Sequence, residues 1–129
     1  MKNIISILAS LMFAIPVATS GPHLTLLPSD QLDLGAFKET EPQQRKVWIK
    51  NTGDEEMVIE RIFTGCSCTK VDYENREIAP GDSLELNIRF SGKGRKPGPV
   101  RKTVRILSNA DNSLSILFLK GVITRHFIR

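Results

Sequence analysis

The stretch Ser83-Leu84-Glu85-Leu86-Asn87-Ile88-Arg89-Phe90 decides the fold class. Leu84, Leu86, Ile88 and Phe90 fall on one side of an extended chain, and Glu85, Asn87 and Arg89 on the other. That period of two suits a half-buried strand and not a helix. Immediately upstream, Ala79-Pro80-Gly81-Asp82 reads as a turn, because Pro presets φ and Gly supplies a positive φ. Working outward, the same pattern recurs. Arg45 to Lys50 places Val47 and Ile49 on one face and Lys46, Trp48 and Lys50 on the other. Asn51-Thr52-Gly53-Asp54 closes it as a tight turn, since Asn and Gly tolerate positive φ. Met57 to Phe63 follows, with Met57, Ile59 and Phe63 on one face and Val58 and Ile62 on the other. Nearer the N-terminus, Leu24 to Leu27 is ended by Pro28-Ser29-Asp30, and Gln31 to Leu34 is closed by Gly35. Downstream, Val100 to Leu107 and Leu114 to Val122 flank the turn Asn109-Ala110-Asp111-Asn112. No stretch beyond residue 20 sustains a 3.6-residue period with caps. About seven short strands with frequent turns predict an all-β, immunoglobulin-like sandwich of two antiparallel sheets.

Residues 1–20 do not fit this pattern. Lys2 provides a short positive region, Ile4 to Val17 an apolar run, and Ala18-Thr19-Ser20 the small residues of a cleavage site before Gly21. A membrane anchor needs roughly 18 or more apolar residues, and Pro16 ends this run early. A secretory signal peptide over residues 1–20 is therefore expected, followed by one domain over residues 21–129. The first cysteine is Cys66, so the sequence offers no lipoprotein anchor, and a soluble product without a stable membrane anchor is expected. Leaving out Lys2 takes the formal net charge from +4 to +3, a mild balance that names no partner. With 40% hydrophobic and 25% charged residues the composition is that of a globular protein. Export places the two cysteines where disulfides persist, but two are too few to replace a core.

The punctuation of these strands resembles a known family. Trp48-Ile49-Lys50-Asn51-Thr52-Gly53-Asp54 leads to Met57-Val58-Ile59, then Gly65-Cys66-Ser67-Cys68-Thr69 and Ile78-Ala79-Pro80-Gly81-Asp82. Ser108-Asn109 then precedes a last strand ending at Gly121-Val122. From about Leu32 to Ile123 this order is similar to the bacterial domain of unknown function family 1573, common in exported proteins of the Bacteroidetes. The resemblance implies an immunoglobulin-like sandwich, similar in architecture to major sperm protein and related cilium- and centrosome-associated modules. It implies no activity. In physical terms the two turn motifs fix strand order, and Gly121 marks a bulge or a close backbone approach.

Cys66-Ser67-Cys68 is the unusual constellation, and three readings of it are open. As a local disulfide or a pair of partly buried thiols it would be structural; an extended segment sets the Cα atoms near the upper limit for a bridge, and a bend at Gly65 would shorten the gap. So small a closed loop stabilises little. As a metal site, two thiolates suit a soft ion such as Cu(I), whereas zinc wants four ligands and only His23 and His126 offer imidazoles. As a thiol-exchange site the motif lacks C-x-x-C spacing and a helix N-terminus, with Lys70 the only nearby favourable charge.

The segment Gly92-Lys93-Gly94-Arg95-Lys96-Pro97-Gly98-Pro99 is a basic loop. Lys93, Arg95 and Lys96 could meet phosphate, anionic lipid or an acidic polysaccharide, but no phosphate-loop signature is present. Nucleic acid is not expected, because the loop carries no aromatic residue. Trp48 lies on the polar face of its strand and is expected to be covered, with an exposed anchor as the alternative. Asp54, Glu55 and Glu56 read as solvated turn carboxylates, and the histidines near the chain ends do not suggest a triad. The expected role is an exported, non-catalytic structural or protein-interaction module, periplasmic or secreted. It would need no cofactor and would pair through a sheet edge with a protein of the cell envelope. The alternative is a thiol redox or Cu(I)-handling protein.

Overall fold

The computed structural model describes residues 21–125, so the expected signal peptide over 1–20 and His126 lie outside the described residues. Eight strands follow in order: β1 Leu24–Leu27, β2 Gln31–Lys38, β3 Gln43–Asn51, β4 Ile59–Phe63, β5 Thr69–Asp72, β6 Ser83–Phe90, β7 Gly98–Ser108 and β8 Leu114–Thr124. They form two four-stranded sheets, β1-β3-β6-β5 and β2-β8-β7-β4, packed as an immunoglobulin-like sandwich. The added strand is β5, whose four residues are too short to show a period. Met57 lies outside β4 and makes an isolated bridge to Ile78.

One pairing departs from the expected antiparallel sheets: β2 runs parallel to β8. The reason is a change of sheet. β1 pairs antiparallel with β3, and the chain crosses over through a cis Leu27–Pro28 peptide without reversing. It continues beside β8, which runs the same way. Asp30 accepts a hydrogen bond from the Phe118 N–H at 2.8 Å as the new pairing begins. Close approach continues along this pair at Gly121, where an added Cβ would lie 3.0 Å from the Leu34 Cβ and 3.1 Å from the Gly35 carbonyl oxygen. Any side chain there would push β2 away.

The inner faces meet as the alternation predicts. Leu84, Leu86, Ile88 and Phe90 are all at most 2% exposed, and Val47 and Ile49 are fully buried beside them. The facing sheet contributes Val104, Ile106, Leu117, Leu119 and Ile123. Phe37 of β2 meets Phe90 edge to face, with centroids 5.9 Å apart, joining the two sheets through a favoured aromatic geometry. The expected grouping of Phe63 with Met57 and Ile59 fails. The register shifts between Ile59 and Arg61, and this bulge reverses the phase. Ile62 packs against the core, while Phe63 turns outward beneath the guanidinium groups of Arg61 and Arg105, 5.5 and 5.8 Å from its centroid.

A buried amide organises one end of the sandwich. Asn51 is fully buried, and its Nδ2 donates to the carbonyls of Glu55 (2.7 Å) and Ile78 (2.9 Å). Its Oδ1 accepts from the N–H groups of Gly53 (3.0 Å) and His23 (3.3 Å). Gly53 is required here for space and not for a positive φ, since an added Cβ would overlap the backbone of Gly21, Pro22 and His23.

Two kinds of substitution test this account by urea titration. Leu86→Ala should cost about 2–5 kcal/mol by lost burial and a residual cavity, whereas Glu85→Ala, on the outer face, should cost less than about 0.5 kcal/mol. Asn51→Asp should be at least as destabilising as Asn51→Ala despite its matching shape. Its second oxygen would face two carbonyls, and a buried acceptor without a donor costs roughly 1–3 kcal/mol or more. A mild Asn51→Asp variant would rule out this hydrogen-bonding scheme.

Candidate functional site

The sequence candidates separate in space. Cys66 and Cys68 are joined as a disulfide with Cα atoms 5.2 Å apart, because the chain turns between β4 and β5 and is not extended there. The Thr64 hydroxyl donates to the Cys66 carbonyl (3.0 Å), which also accepts from the Thr69 N–H (3.2 Å). Both cysteines are partly exposed.

Arg95 reaches this turn from the β6–β7 loop. Its Nη2 lies 3.6 Å from the Cys66 Sγ and 3.5 Å from the Cys68 Sγ, while the guanidinium carbon sits 6.0 Å from the Phe90 ring centroid. The ring face and the sulfurs together hold the cation. The cation facing the sulfurs is therefore Arg95, and not Lys70, which is exposed. A reader of the sequence has no signal for this contact, since Arg95 is separated from Cys68 by 27 positions. Lys93 and Lys96 remain exposed, so the basic loop does not act as one cationic surface.

His23 lies at the opposite end of β3. Its neighbour Leu24 is in register with Asn51, whereas the cysteine turn enters β5, where Thr69 and Gln43 are both in register with Phe90. Nine residues of β3 make that separation roughly 27 Å, so His23 does not join the sulfurs. Its Nδ1 instead meets Asp111 Oδ1 at 2.7 Å. This hydrogen bond holds the Asp111 carboxyl below its ordinary range. Among the described residues no cluster of three or more His, Cys, Asp or Glu is arranged for a metal.

Trp48 is not covered as expected. It is 37% exposed, as is Leu27, its register partner on β1. The reason is that, among the described residues, no further layer packs on the outer face of β1-β3-β6-β5. Glu56, read as a solvated turn carboxylate, is indeed exposed but is paired. A hydrogen bond with Glu77, reinforced by repulsion from that carboxylate, holds its carboxyl above the ordinary range.

The pH dependence follows in opposite directions for these two contacts. Asp111, with its pKa lowered in the fold, contributes stability above the ordinary carboxylate range that is lost as pH falls through it. Glu56, with its pKa raised, favours the fold at low pH and loses that contribution as pH rises. Glu77→Gln should therefore raise the melting temperature near neutrality, with the gain shrinking as the pH falls and the Glu56 carboxyl takes up its proton. His23→Ala should lower it near neutrality, with the loss shrinking towards pH ~2. Thermal scans across this range check both signs.

The comparisons with known proteins agree with this geometry. The family described as "Protein of unknown function (DUF1573)" matches residues 26–123. No curated protein sequence matches the chain. Among solved structures, a protein of unknown function from Porphyromonas gingivalis W83 superposes with a TM-score of 0.69 at 20% identity, covering 85% of this chain and 51% of that one. The chain thus spans about half the length of that protein. The ASH/PapD-like domain 7 of human CEP192 superposes with a TM-score of 0.65 at 9% identity, covering 97% and 99% of the two chains. WR4, a C. elegans MSP family member, gives 0.51 at 9% identity, covering 78% and 97%. At these identities the likeness is one of fold.

Proposed function

The chain belongs to the DUF1573 family of proteins of unknown function, and from that premise we propose that it is an exported, non-catalytic structural or protein-interaction module. Its place is the periplasm or the exterior, and its partner is a protein of the cell envelope. The domain resembles the PapD-like and MSP interaction modules in fold, although a shared fold does not carry a function by itself. The observation that carries the reading is the open side of β2. This eight-residue strand is hydrogen-bonded to β8 on one side and, among the described residues, has no strand on the other. The other sheet ends, β1, β4 and β5, have four, five and four residues. An unpaired edge offers backbone donors and acceptors to an added strand, and β2 is the longest edge strand, with the N–H groups of Gln31, Gly35 and Lys38 already held by the side chains of Ser29, Asp33 and Glu41.

A photo-reactive amino acid at the exposed position Ala36 of β2 tests this in the native cell envelope. A discrete cross-linked protein is expected from position 36 and not from position 46 on the other sheet. Adducts that are absent, or equal from both positions, would sink edge pairing. The intact mass of the exported product should begin at or near Gly21.

A second reading, thiol redox or Cu(I) handling, is favoured by one contact, the Arg95 guanidinium beside both sulfurs. The two readings part on a Cys66→Ser/Cys68→Ser variant. The module reading expects the sandwich and its cross-linked partner to persist with a modest loss of stability, since a one-residue disulfide loop constrains the unfolded chain little. Stoichiometric copper in protein from its native compartment, lost in the double variant, would favour the second reading instead.

A further inference from the structure

The outer face of the β2-β8-β7-β4 sheet holds a basin of about 650 Å³. Its cationic lining includes Arg101 and Arg105 of β7 and Lys120 of β8, and no carboxylate among the described residues lines it. The register explains the arrangement. Arg101 lies directly across from Lys120, and Thr103 from Phe118, while Arg105 lies beside Phe63 of β4. On the far side of β8, Gln31 pairs with Phe118 and Asp33 with Lys120.

Two cations placed directly opposite each other on one sheet face repel. Among the described residues, none of the ion pairs involves Arg101, Arg105 or Lys120. Asp33 is the nearest carboxylate by register, but its Oδ1 accepts the Gly35 N–H at 2.8 Å. The basin also carries two aromatic rings. Phe118 is 39% exposed, and Phe63 lines the basin under the guanidinium groups described above. Basic residues on an ordinary solvated face do not require two aromatic rings among them.

We propose that this basin binds an acidic oligosaccharide, with one uronic-acid unit seated over Phe118. The volume falls within the roughly 300–1,000 Å³ typical of small-ligand sites. A protein partner would instead use about 800 Å² of surface from each side. The sugar ring supplies an apolar face for the aromatic side chain, and its hydroxyls suit the Gln31 amide and the Thr103 hydroxyl. Its carboxylate suits the planar fork of Arg101 or Arg105, which binds carboxylates bidentately. An acidic peptide has the charge but lacks the hydroxyl-bearing ring. The basin shares Gln31 with β2 but does not use that strand's open backbone edge: loss of saccharide binding leaves edge pairing untouched, and failure of the cross-link leaves the basin untouched.

Calorimetric titration of the whole purified protein tests the proposal, with tetragalacturonate as probe, neutral tetragalactose as control and octaglutamate as the competing chemistry. Saturable binding of tetragalacturonate at one site per chain is expected, with far weaker binding of the other two. Arg101→Ala/Lys120→Ala should weaken it by about tenfold or more, since charge-assisted hydrogen bonds are lost. Phe118→Leu, which keeps bulk without the ring, should also weaken it, and near-UV circular dichroism should show the variants folded. Lys93→Ala/Lys96→Ala, in the exposed loop, should change affinity by less than about twofold. No saturable binding, equal binding of tetragalactose, tighter binding of octaglutamate, or an effect confined to the loop variant would each overturn the assignment.

Discussion

The side-chain amide of Asn51 is the contact on which one end of the sandwich depends. An amide offers two donor hydrogens and an acceptor oxygen with two lone pairs, and here each is used. Through them the last residue of β3 fixes the entry of the chain into β1, the turn after β3, and the Ile78 segment that leads to β6. Its backbone adds to this, donating to Asp82 at 3.0 Å and accepting from Gly81 at 2.8 Å. Because the contact to the Ile78 carbonyl is buried, that partner would be left without a substitute if the amide were lost. The position must therefore carry a neutral group with both donor and acceptor.

The same device recurs in the turn between β7 and β8. Asn112 donates to the Leu24 carbonyl and accepts from the Leu24 N–H, at 2.8 and 3.0 Å. Asn109 accepts from the Val58 N–H at 2.8 Å. The Asn112 amide ties a turn of one sheet to the first strand of the other, where no ladder hydrogen bond could reach, whereas Asn109 extends the pairing beside β4 within its own sheet. The turn thus closes the sandwich as well as reversing the chain. At the opposite end the closure is different in kind: the cysteine turn, Phe90 and Arg95 meet through sulfur, an aromatic face and a cation.

Charge is distributed unevenly over the two outer faces. On β1-β3-β6-β5, Lys46 lies 3.4 Å from Glu85 on neighbouring strands, so opposite signs meet. On β2-β8-β7-β4, Arg101 and Lys120 face each other with like sign. A mild net charge of +4 over the whole chain conceals this local concentration. A surface that accepts such repulsion has its charge available to a ligand rather than spent within the fold.

Strand alternation was readable without coordinates wherever one face is wholly buried. Ser83–Phe90 and Val47–Ile49 required a two-sheet core because their apolar side chains recur every second residue, and that period is a local property of the chain. The turn motifs and the family resemblance were local or sequential in the same sense. The tertiary structure alone decided the parallel β2–β8 pair, the short β5, the outward turn of Phe63 at a bulge, the exposure of Trp48 and the approach of Arg95 to the cysteines. Each depends on a partner distant in sequence: a strand on the other sheet, a register shift, a missing covering layer or a loop 27 residues away. The cationic basin belongs with these. Arg101 and Arg105 belong to one strand and Phe118 and Lys120 to another, and only the register of β7 against β8 sets them side by side, because side-chain neighbours across a sheet are fixed by pairing and not by sequence.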